Sequence, residues 1–204
     1  MLDLLDYRRR VTALYTAVRA STNPATACED FRQQRDDLFH SHSQSALSPG
    51  QKAQFTGLRY YPYDSAYRVV AQIDRDVEPE ILQVDLGDDG QFAYQRFGQV
   101  TFTLPTGSGC LSLFWIKGYG GGLFLPFGDA TNKDTTYGAG RYLYDTIKGA
   151  DLGTDKDRLV LDFNFAYNPS CSYHYRWVCP LAPPENRLLF AVPAGEMLLN
   201  LPPD

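Results

Sequence analysis

Apolar residues follow two different spacings along this chain, and the change lies near Gln54. Residues 2 to 20 carry them at three- and four-residue steps, which is typical of one amphipathic helix. Asn23 is a typical N-cap and Pro24 suits the first turn of a second helix, which we expect to run to about His40. The apolar stripe of the first helix is Leu4, Tyr7, Val11, Leu14, Tyr15 and Val18; the inward positions of the second are Ala27, Phe31 and Leu38.

Beyond Gln54, apolar residues alternate with polar ones, which is typical of strands with one buried face. Gly-containing steps such as Asp89-Gly90 and Gly120-Gly121 separate the runs. The expected strand residues are Tyr67, Val69, Ala71 and Ile73; Leu82, Val84 and Leu86; Val100, Phe102 and Leu104; Leu111, Leu113 and Trp115; Leu123, Leu125 and Phe127; Leu159, Leu161, Phe163 and Phe165; and Leu188, Phe190 and Val192.

These short runs predict a mainly β fold: an antiparallel barrel or curled sandwich of about eight or nine strands with two N-terminal helices. We expect residues 1–50 to form a helical segment packed on the core and residues 51–204 to form the β domain. The two parts are expected to fold as one cooperative unit.

The composition narrows the class of protein. The chain has 204 residues, 44% of them hydrophobic, and a net charge of −5. An acidic balance argues against nucleic acid as a partner, and no apolar run approaches the roughly 20 residues of a membrane helix. The first ten residues place acidic side chains before arginines, the wrong order for a secretory signal, so we expect a cytoplasmic protein. The 14 Tyr and 12 Phe suit either a β-rich core or an aromatic-lined pocket.

The stretch from Leu161 to Leu188 concentrates polar side chains on a segment stiffened by four prolines. If it begins as a strand, Asp162 and Asn164 share the face opposite Leu161. They could hydrogen-bond the loop backbone and hold its turn, together with Asn168, or they could line a cavity. Both interpretations stay open.

A second segment, Phe127 to Asp145, contains Gly138 and Gly140 just before Arg141. Nucleotide binding is not expected, because a dinucleotide fingerprint needs a third glycine and a following helix. Arg141 could clamp a carboxylate or phosphate ligand through two parallel hydrogen bonds. Alternatively it forms an ion pair inside the protein, for which the available acids are Asp129, Asp162 and Glu185.

Cys171, His174 and Cys179 have ligand types that zinc accepts, but no fourth ligand is evident, so we predict no metal. A Cys171–Cys179 disulfide would be a redox feature in a reducing compartment. We expect two reduced cysteines that pack the loop. A nucleophilic arrangement of Cys171, His174 and Asp162 is the remaining alternative. The chain lacks the common hydrolase and phosphate-loop motifs, and no cofactor is predicted.

Long ordered motifs carry a family resemblance. They are FTGLRYYPYD from Phe55, LFLPFGDATNKDTTYGAGRYL from Leu123, LDFNFAYNPSC from Leu161, and CPLAPPENRL from Cys179. From about residue 30 to Glu196 the chain resembles the bacterial and archaeal family catalogued as domain of unknown function 1684. The resemblance implies which positions are typical of the family, and it implies no activity.

Three functions are compatible with these residues. The first is a module that binds a polar or anionic small molecule. It is expected to have no nucleic acid or membrane partner, and the sequence does not determine its oligomeric state. The second is a hydrolase-like enzyme with Asp162 or Glu185 as general base and Arg141 stabilising negative charge. The third is a structural or interaction domain without a ligand. The expected ligand-binding residues are Asp129, Tyr137, Arg141, Asp162, Asn164, Tyr167, Asn168, Glu185 and Asn186.

Overall fold

Three helices occupy the first quarter of the chain. The computed structural model describes residues 1–85 and 90–199, so the predicted positions Leu86 and Asp89 lie outside the described residues. The helices are α1 (Leu2–Ala20), α2 (Pro24–Ser41) and α3 (Pro49–Gln54). Asn23 caps α2 as predicted, since its side-chain oxygen accepts from the backbone N–H groups of Ala25 and Thr26.

Helix α3 was not predicted, although its signal is present. Ser48 and Gln51 form a capping box, in which each side chain bonds the backbone N–H of the other, and Pro49 occupies the first turn. The segment of residues 41–50 is rich in serine, which is typical of a polar loop, yet Ser45, Ala46, Leu47 and Ser48 are buried.

Eight strands form one antiparallel sheet within the described residues. They are β1 (Arg68–Asp74), β2 (Ile81–Asp85), β3 (Gln91–Leu104), β4 (Gly107–Ile116), β5 (Gly122–Phe127), β6 (Arg141–Asp145), β7 (Thr154–Asp155) and β8 (Arg158–Asp162). The order across the sheet is β6-β5-β4-β3-β1-β8-β7, and β2 pairs with β3 off this path. The predicted antiparallel β class is confirmed.

The sheet curls into a half-barrel. Tyr144 on β6 and Val160 on β8 belong to strands near opposite ends of the sheet order. Nevertheless the Tyr144 hydroxyl lies 2.6 Å from the carbonyl oxygen of Val160. The concave side holds the main core, and Tyr15 of α1 and Phe31 of α2 belong to the same buried cluster as strand residues such as Leu111. Residues of α1 and α2 therefore share one hydrophobic core with the sheet.

Two predicted strands are wrong at one end, and a third is absent from the described residues. Tyr67 lies in a 3-10 turn before β1, capped by the Asp64 side chain. The strand expected to reach Phe165 ends at Asp162, because the Asp162 carboxylate accepts the backbone N–H of Asn164 and starts a turn. Leu188, Phe190 and Val192 form no strand: the Val192 N–H donates to the Asp129 side chain instead of a sheet neighbour.

Candidate functional site

Arg141 is completely buried and fixed by protein groups. Its Nη2 donates to Asp129 Oδ2 at 2.8 Å and to the carbonyl oxygen of Val192 at 2.9 Å. Its Nη1 donates to the carbonyl oxygens of Ala194 at 2.5 Å and Glu196 at 3.3 Å. Of the three predicted acidic partners the structure therefore selects Asp129, and both terminal nitrogens are occupied by the protein.

Gly140 explains how Arg141 reaches this position. Its φ is +99°, and a Cβ there would lie 2.5 Å from the carbonyl oxygen of Phe127. Only glycine tolerates both the left-handed backbone and the close approach. In the preceding turn of the same loop, Lys133 adopts φ +72°, a conformation in which non-glycine residues are uncommon.

Asp129 and Asn186 serve as internal connectors. Asp129 Oδ1 accepts the Thr131 backbone N–H at 2.8 Å and the Thr131 hydroxyl at 2.6 Å, while Asp129 Oδ2 accepts the bond from Arg141. Asn186 accepts the Ser112 N–H at 2.8 Å and donates to the carbonyl oxygens of Ser112 and Pro126. Both side chains are used to join loops to strands.

Asp162 and Asn164 meet through a turn and not across a strand face. Asn164 Nδ2 donates to Asp162 Oδ1 at 2.9 Å and to the Asp64 carbonyl at 2.8 Å. Burial raises the pKa of Asp162, against the lowering effect of the Asn164 bonds and of Arg68. Asp162 lines a cavity of about 240 Å³ beside α1, and neither Arg141 nor Glu185 is among its lining residues.

The remaining predicted residues lie in different surroundings. Glu185 is exposed in a 3-10 turn. The Tyr137 hydroxyl contacts the Cys171 sulfur at 3.7 Å.

The segment from Phe127 to Asp145 and the stretch from Leu161 to Leu188 meet in space, because Tyr142 and Tyr167 exchange backbone hydrogen bonds at 2.8 and 3.0 Å. Asp162, Glu185 and Arg141, the three candidate catalytic residues, do not surround one cavity.

A buried ion pair that the sequence did not reveal lies beside this junction. Glu196 is fully buried, and its Oε2 lies 3.1 Å from Nη2 of Arg35 on α2. Glu196 Oε1 accepts from the Tyr173 hydroxyl and from Asn168 Nδ2 at 3.2 Å. Gly195, with φ +77°, lets the chain approach the carbonyl oxygens of Ala166 and Phe163 just before Glu196. The cluster ties α2 to the loop that follows β8.

A small cavity lies next to this cluster, between the helices and the sheet. Its volume is about 80 Å³, which suits a few waters or a ligand of a few non-hydrogen atoms. Its walls come from α1, α2, β6 and the loop after β8. The lining residues are Tyr7, Val11, Tyr15, Arg35, Phe39, Tyr142, Asp145, Lys148, Ala150, Tyr167, Asn168, Pro169, Ser170, Tyr173 and Cys179.

Four lining residues carry buried polar atoms that make no hydrogen bond to any of residues 1–85 and 90–199. They are two donors, the Tyr15 hydroxyl and Arg35 Nε, and two acceptors, Asp145 Oδ1 and Asn168 Oδ1. A buried polar group without a partner costs about 1–3 kcal/mol, so such atoms are rare in folded proteins. Burial raises the pKa of Tyr15, so its hydroxyl stays protonated and able to donate.

Opposite charges balance around the cavity. Arg35 pairs with Glu196, and its guanidinium carbon lies 4.7 Å from the Phe39 ring centre. At the surface, Lys148 Nζ lies 3.4 Å from Asp145 Oδ2. The residues that line the cavity therefore include a cation and a hydroxyl donor as well as acceptor oxygens, which suits a polar ligand that both donates and accepts.

The sequence held partial signals for these residues. Arg35 falls between Phe31 and Leu38 at helical steps, so it is an arginine on an inward face. Glu196 is a single carboxylate in a largely apolar segment. Either pattern alone is also found in surface residues. Only the fold brings Arg35 and Glu196 together.

The fold and the cavity define a class of protein: a half-barrel antiparallel sheet covered by N-terminal helices, with a small polar cavity between the two layers. The family model described as "Protein of unknown function (DUF1684)" matches residues 53–197. The chain belongs to this family, as its motifs predicted, although the match begins later than the expected residue 30.

A solved relative shares the architecture. The chain is similar to an uncharacterised protein from Haloarcula marismortui whose solution NMR structure is 33% identical in sequence. The similarity covers 84% of this chain and 92% of that chain, with a TM-score of 0.59. No curated protein matches the chain.

No helix in residues 1–85 and 90–199 is long and apolar enough to cross a membrane. In the same ranges, no group of three or more His, Cys, Asp or Glu side chains is arranged to hold a metal ion.

Proposed function

We propose that this protein binds a small polar molecule in the cavity between its N-terminal helices and its sheet. The ligand carries an acceptor, such as a carboxylate or carbonyl oxygen, facing Arg35 and Tyr15. It also carries a donor facing Asp145 and Asn168. The observation that supports this most strongly is the presence of two unpartnered donors and two unpartnered acceptors around one cavity.

The position of the cavity supports the same proposal. Its walls include Tyr142 from the segment between Phe127 and Asp145, and Tyr167 and Asn168 from the stretch between Leu161 and Leu188. Small-molecule sites are typically concave, with a few polar groups placed among aromatic side chains. A ligand that bonds the four atoms would remove their desolvation penalty, and this gain would contribute to its affinity.

The other two hypotheses receive less support. The hydrolase hypothesis needs a base and Arg141 at one site, but Arg141 is bonded to Asp129 and three carbonyl groups. A structural role fits Asp129, Arg141 and Asn186, whose side chains make several internal hydrogen bonds each. It does not account for the four unpartnered atoms around the cavity.

Ligand-observed NMR with small carboxylates, amides, amino acids and inorganic phosphate as probes tests the proposal. We expect probes with both an acceptor and a donor to bind the wild type. Tyr15→Phe and Asp145→Asn should each weaken binding roughly fivefold, which corresponds to about 1 kcal/mol.

Tyr175→Phe is the matched control, because Tyr175 is exposed and does not line the cavity. It should leave binding unchanged. Failure of every probe to bind, or equal binding by wild type, Tyr15→Phe and Asp145→Asn, would contradict the proposal.

A further inference from the structure

Two cysteines of the loop after β8 contact each other in the reduced form. Cys171 and Cys179 are free thiols, and both residues are half-buried. The backbone N–H of Cys171 donates to the Cys179 sulfur at 3.3 Å. The Tyr137 hydroxyl donates to the Cys171 sulfur at 3.7 Å. Cys171 therefore contacts Cys179 through its backbone N–H and Tyr137 through its sulfur.

The surroundings make the two thiols chemically different. The interaction with the Cys171 side chain lowers the pKa of Cys179 to about 7, and the backbone N–H groups of Cys171 and Ser170 and the charge of Lys148 act in the same direction. The same interaction, together with burial, raises the pKa of Cys171. Cys179 is therefore the more acidic thiol of the pair.

The two other cysteines lack such an arrangement. Burial raises the pKa of Cys28 to about 12, and this residue is fully enclosed. Cys110 is exposed on β4, where its sulfur lies 3.6 Å from the Gln99 side-chain oxygen. Cys110 therefore serves as an internal reference for a solvent-accessible thiol without a partner cysteine.

We propose that Cys171 and Cys179 form a reversible dithiol–disulfide redox site, with Cys179 as the attacking thiolate, Cys171 as the resolving thiol, and a low-molecular-weight disulfide as oxidant. A nearby second thiol distinguishes such a site from a single reactive cysteine. The proposal goes beyond ligand binding and does not depend on it, although Cys179 also lines the cavity.

The reaction has two balanced exchange steps. The Cys179 thiolate attacks one sulfur of the oxidant, a mixed disulfide forms, and the first thiolate of the oxidant leaves. Cys179 then no longer carries the charge that stabilised the Cys171 proton. Cys171 loses that proton to solvent and attacks the Cys179 sulfur. The second thiolate leaves, so the cysteine pair has lost two electrons and the oxidant has gained them.

The test uses the reduced 204-residue chain equilibrated in buffers of reduced and oxidised glutathione. Samples are acid-quenched, alkylated with N-ethylmaleimide, and analysed by intact mass and peptide mapping. We expect the wild type to form a Cys171–Cys179 disulfide. Cys171→Ser should instead accumulate a mixed disulfide with glutathione at Cys179, and Cys179→Ser should lose most of the reaction.

Cys110→Ser is the matched control and should oxidise as the wild type does. The proposal is overturned if glutathione modifies only Cys110 while Cys171 and Cys179 remain alkylatable. It is equally overturned if Cys179→Ser reacts as fast as the wild type.

A second measurement on the wild type covers the case in which a serine variant unfolds. Alkylation rates are followed against pH by peptide mapping. Cys179 should react faster than Cys171, with a midpoint below the ordinary thiol value of about 8.5. A faster Cys171, or a Cys179 midpoint above that value, contradicts the assignment.

Discussion

Arg141→Lys tests whether a completely buried charge has a structural role. Arginine places one terminal nitrogen on Asp129 and Val192 and the other on Ala194 and Glu196. A lysine ammonium is a single point and cannot occupy both positions. At least one pair of buried acceptors then loses its donor, so we expect a loss of about 2–4 kcal/mol in the free energy of unfolding.

The assay is urea unfolding of wild type and variant, followed by circular dichroism, with thermal unfolding alongside. For a chain of this length the expected loss lowers Tm by roughly 5–12 °C. The matched control is Arg158→Lys. Arg158 also pairs with an aspartate, Asp155, but the two side chains are 46% and 50% exposed. Exposed pairs contribute about 0–1 kcal/mol, so the control should change little.

The result that refutes this reasoning is an Arg141→Lys variant as stable as Arg158→Lys. A variant with near-normal stability but weakened binding of a small anion would instead assign Arg141 to a ligand site. The contacts of Arg141 with Asp129 and three carbonyl oxygens favour the first outcome, a loss of stability.

Three further predictions concern two kinds of feature, the buried polar groups and the Cys171–Cys179 loop. Tyr15→Phe should leave the ligand-free stability unchanged or raise it, whereas Tyr144→Phe, whose hydroxyl contacts two carbonyl oxygens, should lose about 1–3 kcal/mol in urea unfolding. Burial raises the folded-state pKa of Asp162 above 3.8, so its ionisation reduces stability as pH rises through that folded pKa. Asp162→Asn should abolish this part of the pH dependence, and an unchanged stability–pH profile would contradict it. Elemental analysis should find no stoichiometric zinc, and about one zinc per chain would make the Cys171–Cys179 loop a metal site.

The sequence predicted what local spacing determines. The helical stripe, the Asn23 cap and the alternation beyond Gln54 each depend on residues a few positions apart, and the helices and the antiparallel class followed from them. The errors lie where a side chain competes with the sheet for a backbone N–H. Asp162 ends β8 in this way, and Asp129 takes the N–H of Val192.

The candidate site was predicted only in part for the same reason. Tyr167 and Asn168 line the cavity, and they were identified from a dense polar loop. Arg35 and Glu196 are 161 positions apart, and no local pattern links them. Arg141 was expected to have an acidic partner because a buried charge requires compensation. The choice of Asp129 among three candidates depended on the fold.

The central claim is that the cavity between the helices and the sheet binds a small polar ligand. A crystal structure of the protein soaked with the strongest-binding NMR probe, at a resolution that shows individual waters, tests it most directly. The account predicts the probe in the cavity, with its acceptor bonded to Arg35 Nε or the Tyr15 hydroxyl and its donor bonded to Asp145 Oδ1 or Asn168 Oδ1. A structure in which only waters bond these four atoms, with the probe elsewhere, would contradict the account.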